Sequence, residues 1–129
     1  MTVAPFSSAE AAAELIRFKP ALGGMIQERR IRILDAGQWY RGRLPREAVD
    51  QWLKEEEQAL AAGYRGLRVS GNTSFVTRPE WDSFMAYEEA LNDVIGTHRI
   101  VVLCSYDLRQ SKTTDQTELK GAHPTLYEV

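Results

Sequence analysis

The sequence contains a single cysteine, Cys104, among its 129 residues. An internal disulfide is therefore excluded, and an unpaired thiol is typical of a reducing compartment, so we expect a cytoplasmic location. Long apolar runs are absent too, since the longest, residues 100–104, has five residues against the roughly 20 that a membrane span needs. No charged residue precedes Glu10 and no signal-peptide core is present. We expect neither secretion nor a membrane partner.

An excess of charge is also missing. The chain has 16 Lys and Arg against 18 Asp and Glu, a formal net charge of −2, so no global basic field favours direct nucleic-acid binding. Hydrophobic residues make up 43% and charged residues 26% of the composition, which is typical of a folded chain rather than a disordered one. The length predicts a single domain over residues 1–129.

The usual catalytic and cofactor motifs are not found. The sequence has no G-x-x-x-x-G-K-[ST] loop, no G-x-G-x-x-G and no G-x-S-x-G. Its two histidines, His98 and His123, lack metal-ligand spacing with Cys104. We therefore expect no metal, no cofactor and no enzymatic activity, and a remnant of a nucleotide hydrolase is the least favoured alternative.

Helices and strands are predicted in alternation. Ser7 and Glu10 have the spacing of a capping box, Pro45 and Pro79 suit helix starts, and Gly63 and Gly96 suit helix ends. Helices are expected over residues 7–18, 22–29, 45–63, 79–96 and 111–122, strands over 31–34, 67–70, 99–105 and 125–129, and a loop over 38–44.

The alternation predicts an α/β fold with a mainly parallel sheet flanked by helices, because the connections are long enough for crossovers. The first three strands should be neighbours in one sheet. Residues 99–105 form a continuous β-branched apolar stretch, so we expect that strand to be buried on both faces.

Three blocks in the second half carry a family resemblance. They are GYRGLRVSGNTSF at residues 63–75, FMAYEEALN at 84–92 and LCSYD at 103–107. In this order they resemble the MEDS family, the methanogen/methylotroph sensory domain of dichloromethane-type regulators, over about residues 31–129. Two positions depart from the family pattern: Asn72 stands where an acidic residue is usual, and Phe75 where Trp is usual.

The resemblance implies a ligand-sensing input domain that detects small hydrocarbon derivatives. It also implies a RecA/clock-ATPase-like core without nucleotide hydrolysis. The family usually begins with an additional strand–helix unit, so we expect an N-terminally shortened sheet, or a missing strand supplied by another chain.

Two polar turns follow predicted strands and should meet at the carboxyl edge of the sheet, where open α/β sheets bind ligands. Alternatively, they are ordinary turns in which Asn72 and Asp107 cap helices. The candidate ligand contacts are Arg68, Ser70, Gly71, Asn72, Glu88, Ser105, Tyr106 and Asp107.

Glu88 belongs to this set because it lies on the apolar stripe of its helix, near Trp81, Phe84 and Leu91. A carboxylate at such a position must be paired or hydrogen-bonded, or its pKa rises. It either faces a ligand, forms a structural pair with Arg68 or Arg78, or lies half-exposed at the stripe's edge.

Arginine outnumbers lysine twelve to four, and six arginines fall between residues 29 and 46 with only one acidic residue. Such a stretch is a solvated face or a contact for an anionic ligand or acidic partner. Trp39, Tyr40, Arg41 and Arg43 are the candidate interface residues, since these residue types dominate protein interfaces.

Two functions therefore stand side by side. One is a sensor that binds a small molecule and signals through a partner protein. The other is an interaction or assembly module whose incomplete sheet is covered in a homodimer. Cys104 lies within an apolar strand and is expected to act as a small buried hydrophobe rather than a redox sensor.

Overall fold

The computed structural model of the chain describes residues 7–107 together with residues 117, 120 and 121. These residues divide between two compact units, residues 1–41 and 42–129. The helices are α1 (Ser8–Phe18), α2 (Leu22–Gln27), α3 (Ala36–Tyr40), α4 (Pro45–Ala61) and α5 (Trp81–Ile95), and the strands are β1 (Leu67–Asn72) and β2 (Ile100–Ser105). The strand predicted at 125–129 lies outside the described residues, as does most of the helix predicted at 111–122.

The first unit begins with the predicted capping box. The Ser7 hydroxyl accepts a hydrogen bond from the Glu10 backbone N–H at 3.3 Å, and the Glu10 carboxylate accepts one from the Ser7 N–H at 2.9 Å. Each side chain satisfies a donor that the first helical turn leaves unpaired, which fixes the start of α1. The predicted end at Phe18 is confirmed.

The strand predicted at 31–34 is wrong, and the loop predicted at 38–44 is helical over residues 38–40. The Ile31 backbone N–H donates to the Met25 carbonyl at 3.1 Å, which ties it to the last turn of α2, and residues 32–35 are irregular. Asp35 then accepts a hydrogen bond from the Gln38 N–H at 2.7 Å and so caps α3. This cap favours a helix at residues for which a loop was expected.

The second unit contains the sheet. β1 and β2 pair in parallel, with Leu67 opposite Ile100 and Asn72 opposite Ser105. Within the described residues this sheet has two strands, joined by a connection that contains α5. The predicted α/β class, with a parallel sheet flanked by helices, is confirmed, although the sheet is smaller than expected.

Glycine is required where the two strands begin. Gly66 has a φ of +157°, and a Cβ at this position would clash with the carbonyl oxygen of Arg99. The close approach allows the Leu67 N–H to donate to the same oxygen at 2.9 Å. The glycine therefore starts the pairing register of the sheet.

The expectation that β2 is buried on both faces is wrong. Its side chains alternate between the two faces of the sheet, and Val101 and Leu103 are 63% and 64% exposed. Their partners in β1, Arg68 and Ser70, are exposed as well. We call this side the outer face. Continuous apolar composition did not reveal that Val101 and Leu103 are exposed among the described residues.

The inner face consists of the alternate residues and lies toward α4 and α5, which pack against each other. Trp52 of α4 and Tyr87 of α5 are both buried, and the indole N–H donates to the Tyr87 hydroxyl at 2.9 Å. Val49 and Phe84 add the aliphatic and aromatic parts of this core. In the part of the chain that is described, no helix is both long and apolar enough to cross a membrane.

Candidate functional site

Glu88 is buried on α5, with 3% of its surface exposed, so its predicted burial is confirmed. Its carboxylate faces the end of β2, where the Cys104 thiol donates a hydrogen bond to Oε1 at 3.4 Å. The Tyr106 side chain, two residues further along, also forms a hydrogen bond with Glu88. We call these three residues the Glu88 cluster. It joins the helix that precedes β2 to the carboxyl end of that strand.

The cluster keeps its two weak acids protonated. Burial, and then the negative charge of Glu88, raises the pKa of the Cys104 thiol. The same two causes, in the same order, raise the pKa of the Tyr106 hydroxyl. Because a nearby anion opposes the formation of a second anion, both groups remain hydrogen-bond donors to the carboxylate. A protonated, part-buried thiol is a poor nucleophile, which agrees with a non-redox role for Cys104.

Aromatic rings pack around Tyr106 of the cluster and around Phe84. Phe84 lies one helical turn before Glu88, and its ring centroid is 6.5 Å from that of Tyr106 in an edge-on arrangement. Phe75 and Tyr87 pack on the same Phe84 ring at 6.0 and 5.6 Å. The buried carboxylate is therefore bonded to a phenol that belongs to an aromatic cluster, and its burial strengthens any electrostatic interaction made there.

Gly71 leaves open space beside the Glu88 cluster. It is the register partner of Cys104, so both residues belong to the inner face of the sheet. Among the described residues, no heavy atom outside its immediate chain neighbours lies within 4 Å of the position where a Cβ would stand. Because Gly71 has no side chain, the inner face of the sheet is left uncovered next to the Cys104 thiol.

The polar residues at the carboxyl ends of the two strands form hydrogen bonds within the turn itself. The Asn72 amide oxygen accepts a hydrogen bond from the Ser74 N–H at 2.8 Å. The Ser105 hydroxyl donates to the Gly71 carbonyl at 3.2 Å, and the Thr73 hydroxyl donates to the Ser105 carbonyl at 2.9 Å. This is the arrangement of an ordinary strand-end turn.

The predicted ligand contacts consequently divide between the two sides of the sheet. Four of them are exposed and share the outer face: Arg68, Ser70, Asn72 and Ser105. Gly71 and Glu88 belong to the inner side, and Tyr106 bonds to Glu88 there, while Asp107 is half-buried just beyond. One small molecule does not contact both faces of a sheet, so the inner group is the candidate site. Ligand binding by any of these residues remains a prediction.

The four predicted interface residues differ in accessibility. Tyr40 is buried at 6% exposure, Trp39 and Arg43 are half-buried, and Arg41 is exposed. Arg41 is thus the most accessible member of the set. Their role in an interface remains a prediction.

A second buried glutamate, Glu56, was not predicted. It is 5% exposed on α4, accepts a hydrogen bond from the Arg99 backbone N–H, and lies 2.6 Å from Nδ1 of His98. Its position four residues after Trp52 places it on the apolar stripe of α4, the same signal that identified Glu88. Within the described residues, no three His, Cys, Asp or Glu side chains are placed to hold a metal ion.

Comparison with known proteins gives one match. The family model described as MEDS, the methanogen/methylotroph, DcmR sensory domain, matches residues 1–124. This chain belongs to the MEDS family. The match begins well before residue 31, the boundary suggested by the motifs, and therefore includes both units. MEDS domains are sensory domains, so the chain has a sensory role in signalling. No curated protein and no solved structure matches it.

We expect this MEDS domain to lose stability as the pH rises above about 9. The thiol of Cys104 has an ordinary pKa of 9.0 in the unfolded chain, whereas folding raises it. Above pH 9 the folded state therefore holds more protons than the unfolded state, and the stabilisation present below pH 9 is lost, on the order of 1 kcal/mol per pH unit. Urea denaturation at pH 8 and pH 10 measures this loss. Cys104→Ala should show a shallower pH dependence, and an unchanged dependence in that variant would contradict the expectation.

Proposed function

We propose that this MEDS domain binds a small molecule at the Glu88 cluster and passes the signal to a partner protein. The observation that carries the proposal is a buried carboxylate held by a thiol and a phenol at the carboxyl end of two parallel strands. Ligand sites in open α/β sheets lie outside the carboxyl ends of strands. Ring-lined sites with a few placed polar groups are typical of small-molecule recognition.

The position of Glu88 also suggests how ligand binding is transmitted to the helices. Glu88 is part of α5, and α5 packs against α4 through buried side chains that include Trp52 and Tyr87. A ligand that bonds to Glu88 contacts this helix directly. Binding that favours one placement of α5 over another then alters the surface that α4 and α5 present to a partner.

The domain, in this proposal, binds its ligand without transforming it. The Cys104 thiol and Tyr106 hydroxyl are held protonated by burial and by Glu88, so neither is prepared to act as a nucleophile or general base at neutral pH. Hydrocarbon derivatives are the ligand class that the family resemblance implies. The rings of Tyr106 and of Phe84, which packs on it, suit the carbon part of such a molecule.

A fragment screen by two-dimensional NMR of the labelled full chain tests the proposal. We expect binders that shift the backbone amide signals of Gly71, Glu88 and Cys104, and that lose about tenfold or more in affinity in Glu88→Gln. Glu89→Gln is the matched control, since its neighbouring carboxylate is exposed. If a chemically diverse library yields no fragment that perturbs these three signals, the proposal is wrong.

An assembly module is the second candidate, favoured by the exposed apolar side chains on the outer face. Parallel sheets are normally covered on both faces, yet Val101 and Leu103 are exposed among the described residues. If a homodimer covers this face, the molar mass measured by light scattering should be about twice the 14.6 kDa of one chain. Leu103→Asp should then restore the monomer. A monomer at micromolar and higher concentrations in the unmodified protein would exclude this candidate.

A further inference from the structure

His98 lies in the turn between α5 and β2, and its ring is held by the second buried glutamate. Nδ1 of His98 is 2.6 Å from Oε2 of Glu56, whose side chain is 7% exposed, and the other Glu56 oxygen accepts a hydrogen bond from the Arg99 backbone N–H. An ionised carboxylate only accepts hydrogen bonds, so Nδ1 carries the proton and the lone pair of the neutral ring is on Nε2. A carboxylate that accepts from one ring nitrogen makes the other a better electron-pair donor.

The side of this ring away from Glu56 is accessible, since 35% of the His98 side chain is exposed. In the part of the chain that the structure describes, His98 forms two hydrogen bonds, one from Nδ1 to Glu56 and one from its backbone N–H to the Ile95 carbonyl. Neither involves Nε2. A smaller polar side chain would satisfy the Glu56 oxygen equally well, whereas an imidazole also supplies a nucleophilic nitrogen on its far side.

Two arginines lie at the same end of the sheet. Arg99 follows His98, and its carbonyl accepts a hydrogen bond from the Leu67 N–H at 2.9 Å, where β1 begins. A Cβ on Gly66 would stand 3.1 Å from that of Arg99, so Arg65, the residue before Gly66, is also part of this end. Both arginines are exposed, and their side chains form no hydrogen bond or ion pair with the described residues. Guanidinium groups favour phosphate, so this end of the sheet suits a phosphoryl donor.

We propose that His98 is a phosphorylation site, modified at Nε2 by a donor that carries its phosphoryl group on nitrogen. The Nε2 lone pair attacks phosphorus, the P–N bond of the donor breaks, and the departing amine keeps the electron pair of that bond. Nδ1 retains its hydrogen, so the phosphorylated ring is positively charged, and the Glu56 carboxylate stabilises that charge. One P–N bond replaces another, so the exchange needs no further reactant. Glu56 is then a positioning residue.

This inference goes beyond the proposed ligand binding and does not depend on it, because His98 precedes β2 and the Glu88 cluster lies at the end of that strand. Phosphorylation at the start of β2 would add negative charge directly beside the link between that strand and α4.

Potassium phosphoramidate is the probe, incubated with the full chain at mildly alkaline pH, where an ordinary imidazole is neutral. Intact-mass spectrometry follows the addition of HPO3, and phosphorus NMR distinguishes a phosphoryl group on Nε2 from one on Nδ1. The chain has two histidines, so His123→Gln reports His98 alone and His98→Gln reports His123 alone. We expect His123→Gln to react at least about tenfold faster than His98→Gln, and on Nε2.

Glu56→Gln tests the positioning. Its single amide oxygen serves the Arg99 N–H, so its NH2 group faces Nδ1 and favours the ring tautomer with hydrogen on Nε2. Reaction at His98 should slow about tenfold or more. The nitrogen chemical shifts of the His98 ring should report the change of tautomer, which a loss of stability alone would not produce. Glu57→Gln, at an exposed carboxylate, is the matched control and should react as the unmodified chain does.

Equal rates in His98→Gln and His123→Gln would overturn the proposal, as would a product phosphorylated on Nδ1. An unchanged rate in folded Glu56→Gln would overturn the role of the carboxylate. If that variant does not fold, Arg99→Gln carries the test, because it keeps the backbone N–H and removes only an exposed cation. It should react more slowly than Arg46→Gln, which removes an exposed arginine from the start of α4, and equal rates in these two variants would contradict the assigned site.

Discussion

Replacing Phe84 by alanine should lower the free energy of unfolding by about 3–5 kcal/mol, the range for removing a buried aromatic side chain. Phe84 is 3% exposed, and three other rings pack on it, those of Phe75, Tyr87 and Tyr106. The substitution removes these contacts together, and a cavity remains because the surrounding rings belong to separate elements. The loss should approach the upper end of the range if none of them moves to fill the cavity.

Urea denaturation followed by circular dichroism gives the measurement. Phe18→Ala is the matched control, since it deletes the same side chain from a position that is 87% exposed. It should change the free energy of unfolding by no more than about 0.5 kcal/mol. A loss below about 1 kcal/mol in Phe84→Ala would show that the ring is not the centre of the core.

Glu56→Ala should cost roughly 2–4 kcal/mol, the second large effect. The substitution leaves the Arg99 backbone N–H without its acceptor directly before β2, and it removes the partner of the His98 ring. A hydrogen bond to a buried charge contributes more than a neutral one, and removing one partner leaves the other desolvated. The start of β2 should therefore loosen before the rest of the sheet.

Two further variants identify the cause. Glu56→Gln keeps an oxygen for the Arg99 N–H and loses the charge, so it should cost less than Glu56→Ala. Glu57→Ala removes the adjacent, exposed carboxylate and should stay within about 0.5 kcal/mol of the unmodified chain. Equal losses in Glu56→Ala and Glu57→Ala would indicate helix propensity rather than the link to β2. Amide hydrogen exchange at residues 99–101 reports the loosening directly.

The two buried glutamates, Glu56 and Glu88, link the helices α4 and α5 to opposite ends of β2. Glu56 of α4 holds the strand's start through the Arg99 backbone, and Glu88 of α5 meets its end through Cys104 and Tyr106. A backbone amide is present whatever the side chain at residue 99, so the Glu56 contact is structural. The Glu88 contacts include the Cys104 thiol, a weak donor with which an incoming donor can compete. This difference supports the proposed ligand-binding role of Glu88.

Local signals in the sequence determined the elements that depend on neighbouring residues. The capping box of Ser7 and Glu10 begins α1, Pro45 begins α4 and Gly96 ends α5, as expected. The apolar stripe also determined that Glu88 is buried, because a helix of 3.6 residues per turn places it beside Phe84 and Leu91. These features involve contacts within a few residues, which a sequence displays directly.

Tertiary structure alone decided where longer-range partners lie. Ile31 bonds to the turn of α2 instead of joining a sheet, because a strand needs a partner that local sequence does not supply. The apolar run of β2 has one exposed face, because coverage depends on where α4 and α5 pack. The parallel register separates Asn72 from Glu88 by placing successive side chains on opposite faces, and it sets Gly71 beside Cys104. The Glu88 cluster also depends on tertiary packing, since Glu88 of α5 meets Cys104 and Tyr106 only when α5 packs against the end of β2.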